Sequence, residues 1–321
     1  MRTKVSLVST VKDAGPAIHD FLASLAAQTR PPDEVVIVDG GSADGTFEAL
    51  RAAPGIIAVS APGANISRGR NMAVAAAAFD VIAVSDADCT LAPDWLERLL
   101  APLDRGTADV AAGFYRPVTS SFAQECIAAT NMPDASEVGP GWMPSSRSVA
   151  FTREAFDAAG GYPEWLAIGE DMYLNHRWVS LGMRIEPAVD AVVYWRLRPS
   201  LGATWRQYAG YARGDAEAGM YPRRHAARFG AYGFAAAAAL SRNRWLLLAT
   251  ALGGVAYASK PVRRAWSRMR GRPAERAASV FGVPVAMAFL DLAKMWGYVR
   301  GSVSRLRFGS GSASPRVRPS E

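Results

Sequence analysis

Short apolar runs alternate with amphipathic segments along the first half of the chain. Residues 34–38 and 81–84 are apolar runs bounded by polar residues, which indicates buried strands, and residues 4–10 are also strand-like. After Pro16, apolar residues recur at helical spacing until the pair Pro31-Pro32 stops the segment. Strands that alternate with helices form βαβ units, so the pattern predicts an α/β fold. We expect a Rossmann-like mixed sheet, mostly parallel and flanked by helices, with a ligand crevice at the carboxyl ends of its strands.

The pattern becomes less regular from residue 109 onwards. The later predicted elements are a strand over Asp109–Val118, a helix over 121–130, a loop over the crevice at 131–146, a strand over Ser148–Phe151, a helix over Arg153–Ala159 and a helix that follows Gly169. These elements would complete one large domain around the first strands.

Two carboxylates follow the predicted strand at 81–84. Asp86 and Asp88 are two residues apart, so extended backbone projects both side chains to the same side. Neighbouring acids resist burial unless a cation or hydrogen-bond donors neutralise them. One or two carboxylates, with water and phosphate oxygens in the other positions, suit Mg²⁺ or Mn²⁺. The alternative for this pair is a solvated turn after a strand.

A third acid, Asp39, ends the predicted strand at 34–38 and enters the glycine-rich turn at 40–45. This turn is neither a dinucleotide-binding Gly-x-Gly-x-x-Gly fingerprint nor a phosphate-binding loop with Gly-Lys-Ser/Thr. An Asp at a strand end can accept hydrogen bonds from a ribose or from a base edge. The alternative is that the Asp-Gly cluster only forms a turn.

A further pair of acids, Glu170 and Asp171, opens a predicted helix after Gly169. Acids in the first turn of a helix often only complement the helix dipole, and this alternative stays open for Glu170.

Composition limits the possible classes of protein. Half of the 321 residues are hydrophobic, which supplies a sizeable core and excludes global disorder. The two cysteines and three histidines show no metal-binding or redox spacing, which favours a reduced compartment. The N-terminus enters a strand-like run at once without the apolar core of a signal peptide, so we expect the chain to start in the cytosol.

Charge divides the chain into an acidic and a basic part. Residues 1–195 carry 14 Lys and Arg against 24 Asp and Glu, whereas residues 196–321 carry 22 against 5. The basic part contains three long uncharged runs, at Phe229–Ser241, Trp245–Ser259 and Ala277–Leu290. Each is shorter than the ~20 residues of a spanning helix. We therefore predict a helical region at 216–308 that associates with an anionic membrane surface, with a soluble helical appendage as the alternative, and a disordered tail at 309–321.

Six motifs in this order resemble the family-two glycosyltransferases of the GT-A fold. The motifs are Val5–Thr10, Val38-Asp39-Gly40-Gly41-Ser42-Ala43-Asp44-Gly45-Thr46, Arg68-Gly69-Arg70-Asn71, Ser85-Asp86-Ala87-Asp88, Gly160-Gly161-Tyr162-Pro163-Glu164 and Gly169-Glu170-Asp171. The resemblance implies a GT-A nucleotide-sugar glycosyltransferase domain over residues 1–215.

The resemblance also implies roles for single residues. Asp88 would bind a Mg²⁺ or Mn²⁺ ion directly, Asp86 would contact the metal or the ribose, and Asp171 would be the general base with Glu170 as its neighbour or alternate. The remaining implied nucleotide contacts are Thr10, Asp39, Ser42, Asp44, Arg68 and Asn71.

One motif departs from the family pattern. Processive members carry a Gln-x-x-Arg-Trp type motif after the base, whereas this chain has Trp205-Arg206-Gln207-Tyr208 and, further on, Arg213. This departure puts polymer synthesis in doubt. Trp205 could stack on a sugar face while Arg206 or Arg213 neutralises a phosphate. The alternative is an amphipathic helix that rests on the membrane.

These implications lead to one expected activity. We expect an inverting, metal-dependent enzyme that moves a sugar from a nucleotide-diphosphate sugar to a lipid-linked or glycan acceptor at the cytoplasmic face of the cell membrane. The alternatives are a sugar-phosphate nucleotidyltransferase and a membrane-docked binding protein without turnover. Nucleic acid is not an expected partner, because the apolar helices among the arginines suit lipid better.

Overall fold

The computed structural model describes residues 3–139 and 141–308. The predicted disordered tail at 309–321 lies outside these residues. The described residues form two compact units, the first made of residues 3–118 and 135–196, and the second of 119–134 and 197–308. The predicted division of function at residue 215 stays a prediction.

The first unit contains an eight-stranded sheet with the strand order β3-β2-β1-β4-β7-β6-β8-β5. Its strands are β1 (Val5–Val11), β2 (Glu34–Asp39), β3 (Ile56–Ser60), β4 (Val81–Val84), β5 (Cys89–Leu91), β6 (Val110–Val118), β7 (Val149–Thr152) and β8 (Ile185–Arg196). Its helices are α1 (Ala17–Ala26), α2 (Thr46–Ala52), α3 (Ile66–Ala76), α4 (Trp95–Asp104), α6 (Arg153–Ala159) and α7 (Glu170–Ser180).

The sheet is mixed and mostly parallel, as the sequence predicts. Strands β3, β2, β1 and β4 run parallel, β6 pairs with β8 in parallel, and the pairs β4–β7, β6–β7 and β5–β8 are antiparallel. Parallel strands are covered on both faces, which explains why β4 is apolar at every position and wholly buried. In register, Val11 lies opposite Asp39, and Val8 lies opposite Val84. The strand-end acids therefore emerge at one edge of the sheet.

An aromatic cluster holds α6 and α7 against this sheet. Phe151 of β7 stacks on Phe156 of α6 at 5.2 Å between ring centroids, and it lies 5.3 Å from Trp178 of α7. The indole Nε1 of Trp178 donates a hydrogen bond to the Ala155 carbonyl at 2.9 Å. Burying large aromatic side chains stabilises such contacts by about 1.5–3 kcal/mol each. The cluster therefore fixes α7, whose first residues are Glu170 and Asp171.

The second unit is helical throughout its regular elements. Its helices are α5 (Phe122–Asn131), α8 (Leu201–Ala218), α9 (Pro222–Ser241), α10 (Arg244–Arg268) and α11 (Pro273–Phe308). Glycines bring α11 close to its neighbours, because a Cβ atom at Gly297 would lie 1.9 Å from the Ala209 carbonyl oxygen of α8. A Cβ at Gly282 would meet Phe122 of α5 in the same way, at 2.8 Å.

Helix α11 is longer than the apolar run that predicts it. Within the described residues, Pro273–Arg307 is the one helix long and apolar enough to cross a membrane by length and composition. Core helices of soluble proteins can meet the same criterion, but less than half of its most apolar stretch is buried. Its Asp291 is buried and accepts a hydrogen bond from Arg228 Nε at 2.7 Å, so one face of α11 belongs to the interior of the second unit.

Candidate active site

Arg70 links the acid that follows β4 to the acid that opens α7. Its Nη2 donates to Asp86 Oδ1 at 2.5 Å, and its Nη1 donates to Glu170 Oε1 at 2.5 Å. The Arg70 side chain is 2 % exposed and lies over the ring of Tyr162. Burial opposes its charge, but the carboxylates of Asp86 and Glu170 outweigh that effect and raise the pKa of Arg70. The guanidinium is therefore a permanent cation between two segments that are far apart in sequence.

Helix α3 places Arg70 in this position. The side chain of Asn65 caps the helix by accepting a hydrogen bond from the Arg68 amide at 2.9 Å. Gly69 lets the helix approach β1 closely, since a Cβ there would lie 2.2 Å from Thr10 Oγ1. Sequence reasoning selected Arg68 and Asn71 from this motif and missed Arg70. The signal that could have identified it is the helical spacing, which places Arg70 with Ala73 and Val74 on the buried side.

The two acids of α7 have different environments. Gly169, with φ +86°, allows the sharp entry into the helix. Glu170 is 5 % exposed, and burial raises its pKa although the nearby Arg70 charge acts in the opposite direction. Asp171 is partly exposed, and its Oδ2 lies 3.5 Å from Ser145 Oγ. Of the two, Asp171 is therefore the acid that is more open to a bound molecule.

A second arginine, Arg147, lies between Asp86 and the segment that contacts Asp171. Its guanidinium carbon is 4.1 Å from the centroid of the Trp195 ring, and its Nε is 3.9 Å from Asp86 Oδ2. Its Nη1 donates to Ser145 Oγ at 2.9 Å. Stacking on an indole orients a guanidinium while leaving its edges able to donate hydrogen bonds. Sequence reasoning missed Arg147, because it lies between a predicted loop and a predicted strand without a recognisable motif.

Trp195 also reaches the second acid after β4. Its Nε1 donates to Asp88 Oδ2 at 3.4 Å. The buried thiol of Cys89 lies 3.7 Å from Asp88 Oδ1, and burial, together with the charges of Asp88 and Asp86, raises the pKa of that thiol well above its ordinary value. Cys89 is therefore an inert neighbour of the acids and not a nucleophile.

The acid after β4 and the acid that opens α7 lie close together in the structure. Asp86 and Glu170 do come together, but a guanidinium lies between them. Among residues 3–139 and 141–308, no group of three or more His, Cys, Asp or Glu side chains is arranged to hold a metal ion. Asp86 and Asp88 supply carboxylate oxygens, which are the ligands that Mg²⁺ and Mn²⁺ prefer, and Asp88 also contacts Trp195 and Cys89. This donor set fits a Mg²⁺ or Mn²⁺ ion that shares its coordination with phosphate oxygens of a substrate.

Asp39 supports the turn that follows β2. Its Oδ1 accepts hydrogen bonds from the amides of Gly41 and Ser42 at 2.8 Å each, and its Oδ2 accepts from Ser42 Oγ at 2.5 Å. The residue is buried. The turn-forming alternative from the sequence is therefore present in the structure. With three acceptor positions used, about one remains for a bound nucleoside.

Ser42 and Asp44 join this turn to the loop that follows β1. Ser42 Oγ accepts from the Asp13 amide at 2.8 Å, and Asp44 Oδ2 accepts from the Gly15 amide at 2.7 Å. The hydrogen bond from the Thr46 hydroxyl lowers the pKa of Asp44. Both residues connect two loops at the carboxyl edge of the sheet, so any contact that they make with a nucleotide is additional to this role.

Three further predicted contacts have distinct positions. Thr10 Oγ1 donates to the Val38 carbonyl at 3.1 Å, and Arg68 is exposed on α3. The Asn71 side chain donates to the Tyr162 carbonyl at 2.9 Å and accepts from the Tyr162 amide at 2.9 Å. Asn71 therefore fixes the segment at 160–164 that precedes the acids of α7.

The three predicted acceptor or phosphate contacts lie on α8 in the second unit. Trp205 packs edge to face on Phe289 of α11 at 5.5 Å, Arg206 is exposed, and Arg213 pairs with Glu217 at 2.7 Å. The predicted roles of Trp205, Arg206 and Arg213 stay predictions.

Comparison with known proteins shows what part of the chain is similar to a known family. Residues 6–125 match the sequence model of the family described as glycosyl transferase family 2. The match covers 120 of the 321 residues, so this part of the chain resembles glycosyl transferase family 2. The matched residues contain nearly all of β1, the turn after Asp39, Arg70 and both acids after β4.

Two curated relatives show how far the likeness extends. The chain is 31 % identical over 201 residues to the succinoglycan biosynthesis protein ExoA of Rhizobium meliloti, covering 57 % of this chain and 60 % of ExoA. It is 24 % identical over 205 residues to the glycosyltransferase AglE of Haloferax volcanii, covering 61 % of this chain and 67 % of AglE. The matched region thus spans about three fifths of the length of ExoA.

A solved structure supports the fold. The mannosyltransferase PcManGT from Pyrobaculum calidifontis, in complex with GDP-Man and Mn²⁺, superposes with a TM-score of 0.54 at 20 % identity, covering 96 % of this chain and 88 % of PcManGT. The predicted GT-A fold is confirmed, and the match over residues 6–125 agrees with the predicted resemblance to family-two glycosyltransferases.

Proposed function

We propose that this chain transfers a sugar from a nucleotide-diphosphate sugar to an acceptor hydroxyl, in a metal-dependent reaction that inverts the anomeric configuration. The observation that carries the proposal is that Arg70 joins Asp86 to Glu170 at 2.5 Å each, while Asp171 lies beside them at the start of α7. Separate segments thus supply the acids that this chemistry needs, and Arg70 holds them together at the strand edge where α/β sheets bind ligands.

The donor would bind along the turn after β2 and the acids after β4. Asp39 would offer its remaining acceptor position to the nucleoside, with Thr10, Ser42 and Asp44 supporting the turn around it, and Arg68 would lie near the diphosphate. Asn71 would act by fixing the segment at 160–164. The likeness to PcManGT, whose complex contains GDP-Man and Mn²⁺, supports a nucleotide sugar and a divalent ion without naming the base or sugar for this chain.

Asp88, with Asp86 beside it, would hold the Mg²⁺ or Mn²⁺ ion together with the donor phosphates. When bound, the ion would supply positive charge to a leaving diphosphate, which gains negative charge as the glycosidic bond breaks. Among the protein groups, Arg147 is placed for the same purpose, because its guanidinium is 3.9 Å from Asp86 and is oriented by Trp195. Arg70 has a different role, since both of its terminal nitrogens already bind carboxylates.

Asp171 is the general base in this proposal, and Glu170 is a positioning residue. A base must reach the acceptor hydroxyl, and Asp171 is partly exposed whereas Glu170 is buried against Arg70. As the acceptor oxygen forms its bond to the anomeric carbon, its proton passes to Asp171. The bond from that carbon to the diphosphate oxygen breaks, and the electron pair leaves with the diphosphate. Attack from the opposite face inverts the configuration.

The proposed acceptor is a lipid-linked sugar or a glycan at the cytoplasmic face of the cell membrane. The name of ExoA, a succinoglycan biosynthesis protein, supports a polysaccharide product. The excess of Lys and Arg after residue 195 and the apolar helix α11 support an anionic membrane surface as the place of reaction. In this proposal, residues 1–215 are catalytic and residues 216–308 associate with the membrane.

A binding experiment tests the donor part of the proposal. Thermal unfolding of the full chain is measured with a panel of nucleoside diphosphates and their sugars, with and without Mn²⁺. One of these ligands should raise the unfolding temperature, and most of the rise should require Mn²⁺. Asp88→Asn should lose the Mn²⁺-dependent part, while Asp94→Asn, an exposed acid paired with Arg98, should keep it. A wild-type protein that no ligand in the panel stabilises would contradict the proposal.

A further inference from the structure

Helices α9 and α10 of the second unit form a hairpin whose outer half is apolar on all sides. The turn lies at Arg242 and Asn243, and the Asn243 side chain caps α10 by accepting a hydrogen bond from the Trp245 amide at 2.9 Å. From Arg244 to Tyr257, every residue of α10 except Thr250 is exposed. The exposed fractions of Trp245, Leu252 and Val255 are 65 %, 61 % and 69 %. Successive residues of a helix are about 100° apart, so the exposed residues at 244–249 and 251–257 cover every side, and the helix has no polar side to turn towards water.

The few polar side chains of the hairpin are satisfied within the protein. The hydroxyls of Ser241, Thr250 and Ser259 donate to carbonyl oxygens three or four residues earlier in their own helices, at 2.8–2.9 Å. Nearer the base, Tyr232 and Tyr257 direct their hydroxyls to the buried Asp291. Hydroxyls that bond back to their own helix are what a helix requires where water is absent.

Charges mark the two ends of this apolar region. No charged residue occurs in 229–241 or 245–259. Arg242 and Arg244 lie at the tip, and Arg223, Lys260 and Arg263 are exposed near the base, where Arg224 and Arg228 pair with Asp215 and Asp291. Cations at both ends of an apolar segment complement the anionic headgroups of a bilayer. A second copy of this chain would instead bring further cations of the same kind against them.

The length of the hairpin determines how it can meet a bilayer. Fifteen uncharged residues at 245–259 rise about 22 Å as a helix, which is shorter than the ~30 Å hydrocarbon core. An ordinary spanning helix is therefore excluded for α10. A helix lying flat at the interface is also disfavoured, because one of its apolar sides would remain in water.

We infer that the α9–α10 hairpin is a re-entrant membrane anchor that inserts its apolar outer half into an anionic bilayer. The arginines at its tip extend towards the far headgroups, and the exposed cations at its base face those of the near leaflet. Helix α11, the longer apolar helix, supports the base of the hairpin through Asp291 instead of providing the insertion. The inference makes the membrane contact of the proposed function specific, but it requires no glycosyl transfer.

Depth-dependent fluorescence quenching tests the insertion. A cysteine is introduced at Leu252 and labelled with an environment-sensitive fluorophore, since Cys89 and Cys126 are both buried. The full chain is mixed with vesicles of phosphatidylglycerol and phosphatidylcholine that carry spin labels at known depths. Ile57→Cys, at an exposed apolar position of β3 (46 % exposed), is the matched control.

The inference predicts that the probe at position 252 moves to shorter emission wavelengths and is quenched most by labels near the bilayer centre, whereas the probe at position 57 stays in water. Quenching by headgroup labels alone would overturn it in favour of a helix lying flat. A blue shift that is equally large without lipid would overturn it in favour of a protein–protein contact.

A partition experiment provides a second test. Leu248→Asp with Leu252→Asp should lower partitioning into these vesicles by about 100-fold or more, because charged residues are strongly disfavoured in the hydrocarbon core. Nucleotide-dependent stabilisation should be unchanged in this variant, so the anchor can fail the test while the proposed activity stands. Leu201→Asp, at an exposed apolar position of α8, should partition like the wild type. Unchanged partitioning of the double variant would overturn the inference.

Discussion

Replacing Arg70 by Met tests whether this buried cation holds the site together. The substitution keeps most of the side-chain volume but leaves the carboxylates of Asp86 and Glu170 without the guanidinium that binds both at 2.5 Å. Removing one partner of a buried ion pair costs about 3–5 kcal/mol, because the other charge remains buried. Glu170 is almost fully buried and Asp86 is 21 % exposed, so Glu170 should account for most of the cost.

Thermal unfolding and a double-substitution cycle provide the measurement. A loss of about 3–5 kcal/mol corresponds to a fall of at least about 6 °C in the unfolding temperature. Glu170→Gln should reduce the loss caused by Arg70→Met by about 1–3 kcal/mol, because the double variant has no charge at position 170 to compensate. Arg98→Met removes an exposed pair with Asp94 and should cost less than about 1 kcal/mol.

The effect of pH on the Arg70→Met variant follows from the direction of the Glu170 shift. Burial raises the pKa of Glu170 in the folded state, so the folded protein binds this proton more readily than the unfolded chain. Falling pH therefore stabilises the folded form relative to the unfolded one. The gain should be larger in Arg70→Met, because this variant lacks the Arg70 charge that lowers the pKa of Glu170. The deficit of Arg70→Met should shrink between pH 7 and about pH 5. A deficit below about 1 kcal/mol at pH 7, or one that grows as pH falls, would refute this reasoning.

Three other substitutions test separate parts of the account. Arg147→Met should weaken binding of the nucleoside diphosphate by about 10- to 100-fold but leave binding of the nucleoside unchanged, because the lost hydrogen bonds are to charged phosphates. Equal losses of affinity for both ligands in calorimetric titrations would point to a structural role of Arg147. Ser145→Ala should lower turnover less than Arg147→Met does, since Ser145 only connects Arg147 to Asp171, and a larger loss would assign the hydroxyl a direct role. Gly297→Ala should lower the free energy of unfolding by about 1–3 kcal/mol, because the added methyl group overpacks against Ala209. Gly254→Ala has open space around it and should stabilise the protein by up to about 1 kcal/mol. Similar effects of the two substitutions in urea unfolding would contradict the close packing of α11.

The sequence was most informative where one element is buried on both faces. Residues 34–38 and 81–84 are apolar without interruption because β2 and β4 lie inside a parallel sheet, and this pattern located the acids that follow them. The strands β5 and β8 were not predicted. Strand β5 has only three residues, which is too few to show an alternation of apolar and polar side chains. Strand β8 contains Pro187, next to the point where its pairing with β6 shifts register between Ala112 and Phe114. Local pattern is a weak signal in both cases.

The candidate site was located better than its internal contacts. Strand ends and the start of α7 could be predicted, since topology brings them to one edge. The partners of each side chain could not, because they depend on residues that lie a hundred or more positions away, as with Arg70 and Glu170 or Asp88 and Trp195. Asp39 illustrates the difficulty, since its sequence context fits both a nucleoside contact and the turn that the structure contains.

The helices of the second unit also differ from their sequence signal. The apolar run at 245–259 predicts a short helix, whereas α10 extends to Arg268 across Pro261. Arginine is a good helix former, so the basic linker at 260–268 continues the helix that the apolar run begins. Hydropathy alone therefore ended the predicted helix where apolar residues give way to basic ones, whereas the helical backbone continues to Arg268.

The most direct measurement compares transfer by the Asp171→Asn variant with donor binding by the same protein. Release of nucleoside diphosphate is followed with the donor identified by thermal unfolding and a membrane extract as the source of acceptor. The account predicts that transfer falls by about 10²- to 10⁴-fold while the dissociation constant of the donor changes little, because only the base is lost. Transfer at the wild-type rate would remove Asp171 as the base and contradict the proposed mechanism.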